Sequence, residues 1–231
     1  MSIKIEHLPF TIRIAETEED ILKAIEVRQS AYGRHLPELA ARMGAPDQAD
    51  LDGSAVILLA ESKLDGSALG TMRIHTNELK ALPVEGSVSL PAQYRGCRLA
   101  EATRLGVEHG RVGSAVKTYL FKSLYVYCAT NDVDWIVITA RPPLDRMYQA
   151  ILYKDVFEGG PYIPMAHVGN VPHRVMSYHV EDAPISPEAK AHPLYDTFFR
   201  TLHPDINLTG RPNVVRQPRP VPYGRTEPLH A

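Results

Sequence analysis

Arg98-Leu-Ala-Glu101-Ala-Thr-Arg104-Leu-Gly-Val107 sets a carboxylate and a guanidinium three residues apart within an apolar, strand-like run. A buried charge is costly unless it is paired or put to use, so Glu101 and Arg104 are either a structural ion pair or part of a working site. In the working site Glu101 would act as a general base, taking a proton from a nucleophile, and Arg104 would hold its orientation. Other charged residues stand upstream. Arg28 shares a helical face with Ile21, Leu22, Ile25 and Tyr32, Asp47 and Asp50 fall in an acidic stretch, and Arg73 lies in a second strand-like run. A guanidinium binds a carboxylate bidentately, so Arg28 and Arg73 either pair with Asp47 and Asp50 to order a lid or take the carboxylate of a substrate.

The elements that must carry these residues follow from patterning. Pro9 to Ile14 alternates as a first strand, and Thr17-Glu-Glu-Asp20 offers an N-cap and an acidic first turn for a helix that Gly33 ends. A short helix through Leu36 to Met43 leads into the loop Asp47 to Gly53. Ala55 to Ala60 and Leu69 to His75 read as a hairpin, and Arg98 to Val107 as a further strand after a proline-containing loop. Gly110-Arg-Val-Gly-Ser-Ala115 then opens a helix whose buried stripe is Val116, Leu120, Leu124 and Tyr127. The strand Asp134 to Thr139, a helix through Leu144, Tyr148, Ile151 and Leu152, and two closing strands complete residues 1–185 as one domain. Residues 186–231 form a C-terminal extension with a short helix and a Pro/Arg-rich tail.

Composition excludes several classes. The chain has 231 residues, 44% of them hydrophobic and 23% charged, with a net charge of -2, so no global attraction draws it to nucleic acid. No apolar run reaches the roughly 20 residues of a membrane helix, and Met1 to Phe10 lacks a signal-peptide core; a cytoplasmic protein is expected. Cys97 and Cys128 show neither zinc nor disulfide spacing. The ten histidines contain no HxxxH or HExxH pair, so no catalytic metal is expected, and His75, His109, His167 and His179 read as structural or exposed. Gly110 and Gly113 would let a helix N-terminus hold a phosphate, although an ordinary tight turn explains them equally well.

The order of elements resembles the GNAT acyltransferase fold, an α/β (α+β) architecture with a central mixed, mostly antiparallel twisted sheet, splayed in the middle and flanked by helices. Arg28 with Tyr32, Asp47 with Asp50, Gly70-Thr-Met-Arg73 and Glu101-Ala-Thr-Arg104 occur in the order of the Arg/aromatic, Asp-x-x-Asp, Gly-x-x-Arg and Glu-x-x-Arg signatures of acyl-homoserine-lactone (autoinducer) synthases. The single tryptophan, Trp135, and Ile74-His-Thr-Asn after Arg73 depart from that group. The chain is more similar to long-chain N-acyl amino acid synthases, which share an extension like His192-Pro-Leu-Tyr-Asp-Thr-Phe-Phe199 and Pro204-Asp-Ile-Asn-Leu208.

The resemblance implies transfer of an acyl group from acyl-carrier protein, or from acyl-CoA, to the amine of a free amino acid. It implies no tightly bound cofactor and no covalent intermediate. The 4'-phosphopantetheine arm would lie between the strands ending near Val107 and Thr139, with backbone N–H groups around Arg104 to Val107 stabilising the oxyanion. Tyr148 would stand near the thioester. Leu105, Val107, Leu120, Leu124 and Ile138 would wall the acyl slot, and Arg111, Lys117, Lys122 and Arg141 would meet an acidic carrier. Outside this reading stand a lactone synthase, an acyl-CoA-dependent N-acetyltransferase and a non-catalytic carrier-binding module.

Overall fold

Strict alternation in Phe10–Ile14 produces a strand that buries Phe10, Ile12 and Ile14 and turns Thr11 and Arg13 away from that core. The computed structural model describes residues 3–210, and Arg211, Arg216, Arg219 and Arg225 of the expected tail lie outside the described residues. In chain order the strands are β1 (Lys4–Ile5), β2 (Phe10–Ile14), β3 (Ala55–Ser62), β4 (Ala68–Thr76), β5 (Leu99–Val107), β6 (Trp135–Ala140), β7 (Lys154–Asp155), β8 (Ile163–Met165), β9 (Val171–His179), β10 (Thr201–Leu202) and β11 (Ile206–Asn207). The helices are α1 (Glu18–Gly33), α2 (Pro37–Ala41), α3 (Gln48–Leu51), α4 (Gly110–Thr130), α5 (Leu144–Ala150) and α6 (Pro187–Lys190).

The main sheet runs β11-β2-β3-β4-β5-β6-β9-β7, with β8 on β9. Only β11 with β2 and β5 with β6 pair in parallel within it. One face packs on α4, whose Val116, Leu120, Leu124 and Tyr127 meet Ile12, Leu58, Met72 and Ile136 in a single core. The other face carries a smaller cluster around Leu82, Val84, Tyr94, Leu99 and Val137. Thr17 caps α1 through a reciprocal box with Asp20, as its spacing predicts.

Three expectations change. The Asp47 to Gly53 stretch is not wholly loop, because Asp47 accepts from the backbone N–H groups of Ala49 and Asp50 and nucleates α3. Leu22 is 44% exposed, so the buried stripe of α1 runs through Ala24, Ile25, Val27 and Arg28. The C-terminal extension is woven in: β11 lies beside β2, and β10 pairs with β1.

The feature that makes a site is a parting of strands. β5 and β6 pair from Leu99–Trp135 to Ala102–Ile138 and no further, although β5 continues to Val107. On its other edge the β4–β5 register shifts between Thr71 and Arg73. Opposite that shift Arg104 adopts a left-handed backbone, φ 55°, which costs an L-residue about 1–2 kcal/mol and breaks the side-chain alternation. Gly106 then lets α1 sit directly on the strand: a Cβ there would lie 3.0 Å from the Arg28 Cα.

Candidate active site

A cleft opens where β5 and β6 part. Ala102, Thr103, Arg104, Leu105 and Val107 form one wall and Thr139, Arg141 and Tyr148 another, with Tyr32, Arg34 and His35 on the α1 side and His167 and His173 opposite. Of the expected wall residues Leu105 and Val107 line the cleft, and so do Thr139 and Tyr148, expected beside the pantetheine arm and the thioester. Leu120, Leu124 and Ile138 are at most 1% exposed in the core and do not line the cleft, because alternation on β6 and the stripe of α4 turn them inward.

Glu101 is wholly buried. Its Oε2 accepts a 2.8 Å hydrogen bond from the Val84 N–H, and Oε1 has no hydrogen-bond partner among the described residues. Burial pushes the carboxyl up to about 8 from the ordinary carboxylate range, with the Val84 bond opposing the rise and the charge of Glu85 adding to it. His167 stands beside it, its Nε2 3.8 Å from Oε1 and 3.3 Å from the Thr139 Oγ1.

Arg104 does not hold Glu101. The left-handed turn at Arg104 carries its guanidinium toward Tyr32 and Asp47, with Nη2 3.8 Å from the Asp47 Oδ2 and Nη1 without a hydrogen-bond partner among the described residues. Burial lowers the Arg104 pKa and raises that of Tyr32. Arg34, on the same wall, is already committed, donating to the Val107 carbonyl at 2.6 Å.

Arg28 and Arg73 are committed elsewhere. Arg28 grips Asp50 with both terminal nitrogens at 3.2 Å, and Arg73 reaches Asp50 at 2.5 Å and Asp47 at 3.0 Å. Both arginines are buried, and neither lines the cleft. Both arginines are paired with the aspartates, and the terminal nitrogens of each are taken up in those pairs.

Of the four basic residues expected to meet a carrier, Arg111 is exposed and Lys117 and Arg141 stand half-buried at the cleft. Lys122 is 5% exposed. It donates to the carbonyls of Thr197 and Thr201 and contacts the His203 Nδ1 at 2.7 Å, fastening the extension to α4. The extension covers Lys122, and burial pulls its pKa down to about 8.

Sequence reasoning assigned no site role to His35, His75, Thr103, His167 or His173. His75 bonds the Thr103 Oγ1 through Nε2 at 3.1 Å, and burial lowers both His75 and His167 to about 4, so both imidazoles are neutral near pH 7. His167 sits beyond the end of β8, 66 residues from Glu101, and no local spacing connects the two.

Behind Tyr148 lies a second, small cavity lined by Phe121, Ile136, Tyr153, Tyr178, Tyr195 and Phe199 among others. Tyr148 packs against Phe121 and Tyr153 at ring distances of 5.3 and 5.2 Å, which makes it the partition between cleft and cavity.

A family model described as N-acyl amino acid synthase FeeM matches residues 23–178. A search of curated protein sequences gives no match. Among solved structures, FeeM, an N-acyl amino acid synthase from uncultured soil microbes, superposes with a TM-score of 0.59 at 18% identity, covering 78% of this chain and 97% of that one. BjaI, a CoA-dependent acyl-homoserine lactone synthase solved with SAM and isopentyl-CoA, gives 0.57 at 15% identity over 87% and 94%. A Desulfovibrio desulfuricans chain assigned to the acetyltransferases of the GNAT family gives 0.52 at 12% over 74% and 99%. The structural likenesses establish the GNAT fold, and the family match covers all four charged motifs that surround the parted strands. The chain is an acyltransferase and belongs to the FeeM family of N-acyl amino acid synthases.

Proposed function

We propose that the protein moves a long-chain acyl group from the phosphopantetheine thioester of an acyl-carrier protein to the amino group of a free amino acid. The observation that carries this reading is the position of Tyr148 between the cleft at the parted strands and an aromatic cavity. A thioester lying between the parted ends of β5 and β6 would send its hydrocarbon tail past Tyr148 into the space closed by the extension. Burial of each methylene there contributes about 0.8 kcal/mol, so a long chain is preferred over acetyl.

The amine attacks the thioester carbonyl from the cleft, and the protein must remove its proton. Glu101, the ionisable residue buried at the root of the parting, supplies the carboxylate that drives this proton transfer. The open inner edge of β5 beyond Ala102 supplies backbone dipoles to the oxyanion. Arg104, with its unpartnered Nη1, takes the carboxylate of the amino acid. Arg28, Arg73, Asp47 and Asp50 lock α1 and α3 over the site. Arg111, Lys117 and Arg141 receive the acidic face of the carrier, which steers the encounter.

Purified enzyme incubated with long-chain acyl-carrier protein and a mixture of amino acids tests the reading by mass spectrometry. An N-acyl amino acid is expected. Release of free fatty acid alone, or an acyl lactone formed from S-adenosylmethionine, would overturn it.

A further inference from the structure

Glu101 is walled off from the cleft that its neighbours Ala102, Thr103 and Arg104 line. A proton leaving a nucleophile in the cleft has to cross that wall. The group at the crossing is His167, which lines the cleft and places Nε2 within 3.8 Å of the Glu101 Oε1. Thr139, on the facing edge of β6, holds the same nitrogen at 3.3 Å. We propose that His167 is the catalytic residue that touches the attacking amine, and that Glu101 acts through it as the buried carboxylate of a Glu–His pair. This inference rests on the proposed N-acylation and adds to it the atom that handles the proton.

The step balances as follows. The amine nitrogen bonds to the thioester carbon while the carbonyl electron pair moves to oxygen. The proton of the resulting ammonium passes to the His167 Nε2, and the imidazolium faces ionised Glu101 across the 3.8 Å gap. The carbonyl re-forms, the C–S bond breaks, and the departing pantetheine sulfur takes the proton back. No oxidant or metal enters. His167 is well suited to the first transfer because burial keeps its ring neutral at physiological pH. The charged and titratable groups around it are Glu101 and Arg104 on β5, His75 on β4 and His173 on β9; both Arg104 and His173 oppose the imidazolium, so the Glu101 carboxylate is needed to sustain it.

The test compares wild type, His167→Gln and Glu101→Gln, and the His167→Gln/Glu101→Gln double variant, with acyl-carrier thioester and amino acid. His167→Gln is expected to lower kcat about 10²–10⁴-fold with the KM for the acyl donor unchanged. It should also abolish the pH dependence contributed by Glu101. The double variant should be no slower than the worse single one, because the two groups act as one unit. A His167→Gln enzyme that keeps wild-type kcat and pH profile overturns the proposal, as does a double variant whose losses multiply. Thermal denaturation of each variant separates a folding defect from a chemical one, and His167→Asn, which retains a shorter polar side chain, serves if the glutamine variant unfolds. Wild type that forms no N-acyl amino acid counts against the proposed function and not against His167 alone.

Discussion

Arg28 and Asp50 form a buried bidentate pair, both guanidinium nitrogens 3.2 Å from carboxylate oxygens and the side chains 2% and 0% exposed. Asp50 also takes Arg73, so one carboxylate neutralises two arginines that would otherwise be stranded in the protein interior. Asp50→Ala should therefore destabilise the fold by about 3–5 kcal/mol, since it leaves the buried Arg28 uncompensated and Arg73 with Asp47 alone. Urea denaturation checks this. Arg28→Met combined with Asp50→Leu should lose less than Asp50→Ala alone.

Glu101→Gln should lower kcat about 10²–10⁴-fold while leaving the fold intact. In wild type, kcat/KM should rise with pH through about 8 as Glu101 ionises, and the variant should lack that rise. A pH–rate series on both proteins measures it.

The same residue predicts a stability change of defined sign. Its pKa is raised on folding, so the protonated carboxyl contributes fully below the ordinary carboxylate value and loses its contribution as pH climbs to about 8. Relative to wild type, Glu101→Gln should be nearly neutral at pH 4 and stabilising by about 2–4 kcal/mol at pH 9. Denaturation at the two pH values decides; equal differences at both would contradict the buried, proton-retaining carboxyl.

Arg104→Gln should raise the KM for the amino acid about 10- to 150-fold with a smaller effect on kcat, the loss expected for one charged hydrogen-bonding partner. Steady-state kinetics with the amino acid varied at saturating acyl donor would show it. A fall in kcat alone would place Arg104 in the chemistry.

Lys122→Ala should destabilise the protein by about 2–4 kcal/mol, because the carbonyls of Thr197 and Thr201 lose their shared donor. Carrier-protein affinity, measured by titration, should stay at the wild-type value. Loss of carrier affinity with unchanged stability would restore the surface role that its sequence position suggested.

What was readable in the chain was whatever depends on neighbours in sequence. Alternation in Phe10–Ile14, the Thr17–Asp20 cap and the stripe Val116, Leu120, Leu124, Tyr127 specify their elements locally, so strand, helix and their order followed from spacing. The motif order of Arg28, Asp47, Asp50, Arg73 and Glu101 likewise marked the charged residues that the fold collects. Tertiary structure alone decided how they are shared. The left-handed residue at Arg104 separates it from Glu101, a partnership that their spacing along the strand suggested. The parting of β5 from β6 opens the cleft that Arg104 lines while Glu101 stays buried in the paired part, and the β8–β9 hairpin brings His167 back to it across 66 residues. Lys122 turned inward for a similar reason: its partners, the Thr197 and Thr201 carbonyls, arrive from the far end of the chain. Long-range pairings of single polar atoms leave no periodic trace in sequence, because they depend on where the backbone bends and not on the residue types flanking it.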